Sequence, residues 1–318
     1  MEIIGLGSGL PLLSGLYFAA MNKVLCSMGI TAHNEEANIG QLLQRVQASQ
    51  LETVEISQIV VVASGCTDNT VPIVREAAAK DPRILLLVQE KREGKASAIN
   101  LYMRHATEKV LLLCSADLLP EFDAIEKVVA LLADPEVGIT NCRPVPVNDP
   151  STFMGFAAHL LWDLHHAMNL SGFKAGEMTA FRKVFERIPQ HTAVDEASVE
   201  PLIRGQGYRV QYMPDAIVYN KGPDTVDDFL RQRRRIYAGH LDVKQTLGYS
   251  VSTMNGFKIL SLLLRHLDWR PKQFVWTWAV VGLEVYGRFL GQRDFKNNRN
   301  HTVWEIAETT KELVNSEQ

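Results

Sequence analysis

The sequence is poor in several features that mark special classes of protein. Among its 318 residues there are only four cysteines, at positions 26, 66, 114 and 142, and no two of them form a Cys-x-x-Cys pair. This spacing excludes a zinc site or a disulfide framework, and we expect buried thiols in a reducing compartment. Basic residues (33) do not exceed acidic ones (36), so the charge balance predicts no nucleic-acid partner.

Long uncharged runs are also scarce, apart from residues 3–21 near the start of the chain. This run has the length of a marginal membrane span, but it is rich in glycine and contains Pro11. Two interpretations stay open for the apolar extension formed by residues 1–22. It inserts into a membrane, in which case Lys23 leaves the rest of the chain in the cytoplasm, or it is a flexible or interfacial segment.

The remaining composition is that of a globular protein, with 46% hydrophobic and 22% charged residues. Apolar strand-like runs alternate with segments of helical periodicity, and the runs are residues 24–30, 56–62, 84–88, 110–114 and 137–141. We expect helices to begin near Asn34, Asp68 and Gly94. The alternation predicts an α/β fold with a doubly wound sheet, whose ligands lie at the carboxyl ends of the strands.

Beyond Pro150 the pattern changes. Residues 151–224 predict an apolar helix at 153–168, a second helix after Asp195 and a strand at 208–212, and residues 225–318 are mostly helical in pattern.

Polar groups follow the early strands: T-A-H-N-E-E at 31–36, S-G-C-T-D-N-T at 64–70 and S-A-D at 115–117. Each alone is typical of a helix cap, although a single carboxylate such as Asp117 also suits a divalent cation that bridges a diphosphate.

In combination these motifs resemble family 2 glycosyltransferases, which have the GT-A fold. The resemblance covers residues 24–248 and includes R-E-G-K at 92–95, G-E-M-T-A-F-R-K at 176–183, G-Y-R-V at 207–210 and Q-R-R-R-I at 232–236, similar to the family's Q-x-x-R-W. It implies a nucleotide-sugar-binding half at 23–150, an acceptor-binding half at 151–224 and a helical tail at 225–318.

The resemblance also implies roles for single residues of the donor site. His33 and Glu35 would lie near the nucleotide, Asp68 would contact its base, usually uracil, and Lys95 would lie near the donor. Asp117 would be the metal-binding acid of the D-x-D motif, holding Mn²⁺ or Mg²⁺. Here Ser115 replaces the first acid of that motif, which weakens the support for a metal.

For catalysis, the resemblance points to an acidic pair and to the Q-x-x-R-W-like segment. The family's usual Glu-Asp order is reversed at Asp195 and Glu196. An ungapped alignment makes Glu196 the catalytic base, and a gap of one residue would make it Asp195. Gln232 and Arg235 would act on the leaving diphosphate, while the surrounding run of arginines is open to three interpretations: a solvated face, a contact with anionic lipid, or a diphosphate site.

The function expected from this resemblance is inverting, metal-dependent transfer of a sugar from a nucleotide diphosphate sugar, usually UDP-linked, to a hydroxyl of a lipid-linked or polysaccharide acceptor. Two alternatives compete with this function. A sugar-nucleotide pyrophosphorylase needs a Gly-rich loop that the chain does not have after residue 30, and a catalytically degenerate binding or scaffold subunit would explain the departures at Ser115 and at the Asp195–Glu196 pair.

The tail determines the expected location of the protein. Four of the five tryptophans, at 269, 276, 278 and 304, lie there among basic residues, a mixture found in helices at membrane interfaces. The alternative is a helical cap packed on the protein's own core. We therefore expect a cytoplasmic protein associated with the cytoplasmic face of the membrane.

Overall fold

The structure is a computed structural model that describes residues 23–190, 194–265, 267–299, 308–311 and 313. The apolar extension at residues 1–22 and Trp304, both used in the sequence predictions, lie outside the described residues. Within the described part, the strands and helices predicted from periodicity are present, with ends that differ by a few residues.

One mixed sheet of eight strands forms the centre of the molecule, in the order β3-β2-β1-β4-β7-β6-β8-β5. The first four strands in this order are parallel to one another, and β7 runs antiparallel to both β4 and β6. The chain therefore adds strands on both sides of the adjacent strands β1 and β4. The strands are β1 (Val24–Ala32), β2 (Val54–Ser64), β3 (Ile84–Gln89), β4 (Val110–Ser115), β5 (Leu119–Pro120), β6 (Val137–Pro146), β7 (Thr179–Arg182) and β8 (Arg209–Asn220).

Helices cover both faces of this sheet, as the doubly wound prediction requires. They are α1 (Ile39–Gln47), α2 (Thr70–Lys80), α3 (Lys95–His105), α4 (Ala124–Ala130), α5 (Phe153–Leu170) and α6 (Asp195–Arg204). Apolar side chains of α1, α2 and α4 fill the core on one face, and those of α3 and α6 fill the core on the other. Burial of these apolar surfaces is the main source of stability.

The start of α1 differs from the prediction. Asn34 does not cap this helix, which begins at Ile39 after Asn38. Asn34 instead has a left-handed backbone conformation, with φ of 53°, and its side chain exchanges hydrogen bonds with Thr67. Asparagine is one of the few residues that adopt this conformation readily, so the loop after β1 turns back toward the loop after β2.

The predicted halves at 23–150 and 151–224 share one sheet. Strands β7 and β8 come from the later segment, and they pair with β4 and β6 of the earlier one. The strand expected at 208–212 continues to Asn220. The later segment therefore completes the sheet and brings its own loops to the same edge as those of the first four strands.

Three more helices follow: α7 (Val226–Leu247), α8 (Gly256–Arg265) and α9 (Pro271–Lys296). Helix α9 packs along α7 and also touches α5. Two ion pairs join α7 to α9, from Arg233 to Glu284 and from Arg234 to Asp294. Within the described residues, none of the helices combines the length and the apolar character needed to cross a membrane.

A close contact behind β1 fixes the position of α3. Gly29 faces the ring of Tyr102, and a Cβ atom built on Gly29 would lie 2.4 Å from the nearest ring carbon. Tyr102 has no exposed surface, and its hydroxyl donates a hydrogen bond to the backbone oxygen of Ser27 at 2.5 Å. Only glycine permits this packing at position 29.

We predict that Gly29→Ala lowers the free energy of unfolding by roughly 1–3 kcal/mol or more, because the buried ring has no space to retreat into. Gly282→Ala is the matched control, since Gly282 lies in α9 with open space around its Cα, and this change should raise stability by up to about 1 kcal/mol. Urea denaturation followed by fluorescence measures both. Equal stability of Gly29→Ala and the wild type would contradict the packing.

Candidate active site

A cavity of about 840 Å³ opens at the carboxyl edge of the sheet. Eleven Lys and Arg residues but only six Asp and Glu residues line it, although the whole chain carries a net charge of −3. This concentration of positive charge favours an anionic ligand. Eight of the predicted site residues border the cavity: His33, Glu35, Lys95, Ser115, Asp117, Asp195, Gln232 and Arg235.

A glycine, Gly65, shapes the part of the cavity between β1 and β2, which we call the donor end. Gly65 has a φ of 61°, and a Cβ there would lie 2.5 Å from the backbone nitrogen of Arg92. Glycine at 65 thus lets Ser64 and Arg92, which both line the cavity, approach each other. His33 joins them through a 2.6 Å hydrogen bond between its Nδ1 and the backbone oxygen of Ser64.

Asp68, predicted to contact the nucleotide base, lies in the loop after β2 and joins it to the loop after β1. Its carboxylate accepts hydrogen bonds from the backbone and hydroxyl of Thr70, at 3.0 and 2.6 Å, and from the backbone of Glu36 at 3.0 Å. Burial raises its pKa, but these hydrogen bonds outweigh burial and leave the pKa below its usual value. Asp68 ties the two loops together and does not border the cavity, whereas Ser64 and Arg92 do.

Glu35 lies at the donor end with only 5% of its surface exposed. Burial and the nearby charge of Asp117 raise its pKa to about 7, against the opposing effect of Lys311. The ammonium of Lys311 forms an ion pair with the carboxylate of Glu35 and also donates a 2.8 Å hydrogen bond to the backbone oxygen of His33.

The segment that carries Lys311 lies across the donor end. Thr309 donates a 2.7 Å hydrogen bond to Asp228 of α7, and the backbone nitrogen of Leu313 donates one of 3.2 Å to Asn38 before α1. Leu313 is buried, and Thr310 and Lys311 line the cavity. We call residues 308–311 and 313 the closing segment. No local sequence pattern predicts this segment, because its contact with Asn38 joins residues more than 270 positions apart.

Asp117 extends from the turn after β4, and the backbone fixes its position. Thr31 and Ser115 are paired neighbours in β1 and β4, and the amide of Ala116 donates a 3.0 Å hydrogen bond to the carbonyl of Thr31.

Among the described residues no cluster of three or more His, Cys, Asp or Glu side chains could hold a metal ion. One carboxylate at a cationic cavity fits Mn²⁺ or Mg²⁺ that is held jointly with substrate phosphates.

The two acids at the start of α6 are described to different extents. Asp195 borders the cavity and has 1% of its surface exposed. Glu196 follows it in the first turn of the helix, but its side chain lies outside the described part of the structure. Among the described side chains of this pair, Asp195 lies at the cavity.

The arginine run on α7 is largely engaged in ion pairs. Arg231 contacts Asp227 at 2.6 Å, Arg233 contacts Glu284 at 2.6 Å, and Arg234 pairs with Asp294. All of these arginines, together with Gln232 and Arg235, line the cavity. The run therefore lines a cavity that could hold an anion, and Arg231 also has an exposed side chain.

The far part of the cavity is apolar, and we call it the apolar lobe. Its lining comes from α5, α8 and α9, and it includes Leu160, Leu161, Ile259, Leu260, Val281 and Val285. Two of these side chains are also exposed at the protein surface, Leu260 to 42% and Val285 to 61%. The lobe is therefore continuous with the outer surface of α8 and α9. Helical periodicity alone could not show that these helices share a cavity with the sheet.

Comparison with known proteins identifies relatives. Residues 27–200 match the family model described as Glycosyl transferase family 2, and residues 201–290 match Glycosyl transferase family group 2. A poly-beta-1,6-N-acetyl-D-glucosamine synthase of Staphylococcus aureus (strain COL) is 23% identical over 265 residues, which cover 79% of this chain and 62% of the relative. A dolichyl-phosphate beta-glucosyltransferase of Trichomonas vaginalis (strain ATCC PRA-98 / G3) is 29% identical over 147 residues, 44% of this chain and 40% of the relative.

Among solved structures, the mannosyltransferase PcManGT from Pyrobaculum calidifontis, in complex with GDP-Man and Mn²⁺, superposes with a TM-score of 0.58 at 22% identity. The match covers 94% of this chain and 89% of that chain. The likeness shows a shared fold and confirms the GT-A type predicted from the sequence. The chain spans less than two thirds of the length of the Staphylococcus aureus synthase.

The raised pKa of Glu35 predicts how stability depends on pH. The folded protein holds a proton on Glu35 up to about pH 7, whereas the unfolded chain releases it near 4.5. The folded state thus binds more protons between these values, so the contribution of Glu35 to the free energy of unfolding falls as pH rises through this range.

We expect the difference between the wild type and Glu35→Gln to shrink or reverse as pH rises from 4.5 to 7, because the amide cannot ionise. Urea denaturation in EDTA across this range measures the difference. Glu76→Gln is the control, since Glu76 is exposed in an (i, i+4) pair with Lys80. A difference that grows with pH would show that Glu35 is ionised throughout.

Proposed function

This chain belongs to glycosyl transferase family 2, and from that premise we propose that it transfers a sugar from a nucleotide diphosphate sugar to a hydroxyl of a lipid-linked or polysaccharide acceptor. The observation that carries the proposal is the composition of one cavity. It joins a donor end at the sheet edge, the carboxylates of Asp117 and Asp195, an excess of positive charge and an apolar lobe.

The donor occupies the end built by the first two loops. Its diphosphate is attracted by the cationic lining, which includes Lys95 at the start of α3 and Arg235 of α7. Asp117, together with the phosphates, would hold a divalent cation, which would stabilise the negative charge that the leaving diphosphate acquires. Uridine remains the expected nucleoside. Ser64, Arg92 and His33 line this end and would contact the nucleoside, and Asp68 remains the predicted contact to the base.

The acceptor hydroxyl is activated by a carboxylate at the start of α6. Asp195 accepts the hydroxyl proton as the oxygen attacks the anomeric carbon, while the carbon–oxygen bond to the diphosphate breaks and its electron pair leaves with the nucleotide. Attack from the side opposite the leaving group inverts the anomeric configuration. Glu196, the base favoured by the ungapped alignment, is the alternative, and substitution of each residue separates them.

The proposal also includes association with the cytoplasmic face of a membrane. Helices α8 and α9 and their connection carry an exposed apolar surface, the outer face, which comprises Phe257, Leu260, Leu264, Trp269, Val275, Trp278, Val285, Tyr286 and Phe289. Apolar patches of this extent mark interaction sites. Exposed Arg265, Arg270 and Lys272 lie beside them, and this mixture of aromatic and basic groups suits the surface of an anionic bilayer.

For catalysis, we expect Asp117→Ala to abolish metal-dependent release of nucleoside diphosphate and to reduce binding of Mn²⁺ together with the nucleotide. Asp195→Asn should lower turnover by roughly 100-fold to 10,000-fold while leaving nucleotide binding intact, because only proton transfer is lost. Turnover with UDP-, GDP- and dTDP-sugars, calorimetry with nucleotide and electron paramagnetic resonance of Mn²⁺ measure these effects.

Asp163→Asn is the matched control for these variants, because Asp163 is an exposed residue of α5 that does not border the cavity. If Glu196→Gln loses turnover and Asp195→Asn keeps it, Glu196 is the base. A wild-type protein that neither binds nor consumes any nucleotide sugar would refute the transferase and indicate a binding or scaffold subunit.

For membrane association, we expect the protein to co-sediment with vesicles containing anionic lipid and to be released by high salt. The double substitution of Phe257 and Trp269 by serine should weaken partitioning at least about tenfold, because each side chain loses roughly 1.5–3 kcal/mol of apolar burial in the bilayer. Val88→Ser, which changes an exposed apolar residue of β3, is the control. Equal sedimentation of the double variant and the wild type would exclude the outer face as the membrane contact.

A further inference from the structure

The closing segment is docked at the donor end by a side chain that acts like a neighbouring strand. Asn38, which precedes α1, has only 2% of its surface exposed. Its side-chain nitrogen donates a hydrogen bond to the backbone oxygen of Lys311, and its side-chain oxygen accepts one of 3.2 Å from the backbone nitrogen of Leu313. Because an asparagine side chain carries the same donor and acceptor as a peptide group, it pairs with both residues as a strand would. This pairing fixes the place of Lys311.

A second anchor joins the closing segment to the start of α7. The hydroxyl of Thr309 donates a 2.7 Å hydrogen bond to the carboxylate of Asp228 and accepts one of 3.2 Å from the backbone nitrogen of Asp224. Asp228 lies in the first turn of α7, the helix that also brings Gln232 and Arg235 to the cavity. The segment therefore bridges the loop after β1 and a helix that lines the same cavity.

The ammonium group of Lys311 is held at two points and has one N–H donor left. It forms an ion pair with the carboxylate of Glu35 and donates a 2.8 Å hydrogen bond to the backbone oxygen of His33. An ammonium group has three N–H donors, and within the described part of the chain the third has no partner. The side chain is 25% exposed and the residue lines the cavity, so the third donor is available to a ligand there.

The charged neighbours of Lys311 lie in two directions. Burial lowers the pKa of His33, and the charges of Arg92 and Lys311 lower it further, against a hydrogen bond to a backbone oxygen. Burial and the charge of Asp117 raise the pKa of Glu35, and Lys311 opposes them. In the proposed donor complex, the phosphate bonded to the nucleoside would lie between the nucleoside beside His33 and Arg92 and the end of the diphosphate beside Asp117. Lys311 is therefore placed near that phosphate.

We propose that Lys311 is a donor-binding residue, whose ammonium group contacts the phosphate bonded to the nucleoside while it stays docked on Glu35 and His33. The inference rests on the proposed function and deepens it, because Lys311 lies beyond the residues that match the two family models, 27–200 and 201–290. A hydrogen bond between an ammonium group and a phosphate is charge-assisted and strong. A lysine that two other contacts already hold in place also loses little freedom when the donor binds.

The expected role of Lys311 differs from that of Asp117. In the transfer, the bond that breaks joins the sugar to the far phosphate, and the new negative charge develops there. A cation at the phosphate next to the nucleoside contacts a charge that is present before and during the reaction, so it stabilises the bound donor and the transition state about equally. Such an interaction lowers the KM of the donor and leaves kcat nearly unchanged.

The test compares binding of uridine, UMP and UDP to the full chain in EDTA, by NMR titration and calorimetry. If the donor screen selects GDP-sugars, the guanosine series replaces the uridine series. Lys311→Met should weaken binding of UMP and UDP about tenfold or more and change that of uridine less than about twofold, because only a phosphate contact is lost. Lys311→Arg should stay within about threefold of the wild type, since a guanidinium also donates to phosphate. In turnover, Lys311→Met should raise the donor KM about tenfold and change kcat less than about threefold.

A second variant tests the docking of the segment without changing Lys311. Thr309→Val keeps the shape of the side chain and removes both hydrogen bonds to the start of α7, so it should weaken UDP binding about twofold to fivefold and leave uridine binding unchanged. Thr246→Val is its matched control, because the Thr246 hydroxyl donates a 2.8 Å hydrogen bond on α7 and does not border the cavity. Lys80→Met, at an exposed pair with Glu76 on α2, is the control for Lys311→Met. Neither control should change nucleotide binding.

Three results would overturn the inference and leave the donor site standing. Equal affinity of the wild type and Lys311→Met for UMP would exclude the phosphate contact. An equal loss of uridine, UMP and UDP binding would show that the segment only supports the fold. Tighter UDP binding by Lys311→Met or Thr309→Val would show that the segment obstructs the donor end. A wild-type protein that binds neither nucleotide series, with or without Mn²⁺, would instead refute the donor site itself and this inference with it.

Discussion

The ion pairs between α7 and α9 are the interactions on which the architecture of the cavity depends. Glu284 contacts Arg233 and Arg288, and Asp294 pairs with Arg234, and both carboxylates are almost entirely shielded from water. Breaking such a buried pair by removing one partner costs about 3–5 kcal/mol, because a charge is left without compensation. These pairs hold α9 against α7, and α9 in turn supplies the outer wall of the apolar lobe. Apolar packing of Val280 against Met154 and Phe229 supports the same arrangement.

The same pairs allow one arginine run to support the structure and also, in the proposed function, to bind the ligand. A guanidinium group has five N–H donors in a planar fork, so an arginine that contacts one carboxylate still presents donors to a neighbouring anion. The run forms a wall of the cavity while it is anchored to the opposite helix. This arrangement keeps the guanidinium groups in fixed orientations, and fixed donors stabilise a developing charge better than mobile ones because they need no reorganisation.

Much of the fold could be predicted from the sequence because the apolar runs of β1 to β4 and the helices between them follow simple periodicities. The extent of β8 and the positions of β5 and β7 could not, since short or half-exposed strands have weak patterns. At the site, His33, Glu35, Asp117 and Asp195 were singled out by their motifs and positions, and they all line one cavity, while their roles stay predictions. Lys311 was missed, because a single lysine outside any motif has no local signal. The base contact of Asp68 also stays a prediction, because a cap and a ligand contact look alike in sequence.

The contact between Glu35 and Lys311 spans 276 residues, and this separation has a consequence for folding on the ribosome. Chains emerge from their first residues onward, so β1 and the loop with Glu35 can fold before Lys311 exists outside the exit tunnel. A buried carboxyl with no cation beside it keeps its proton. The early sheet can therefore form around a neutral Glu35. When the closing segment arrives, Lys311 lowers the pKa of Glu35 toward its final value of about 7, so that the carboxyl can ionise near neutral pH and pair with the ammonium.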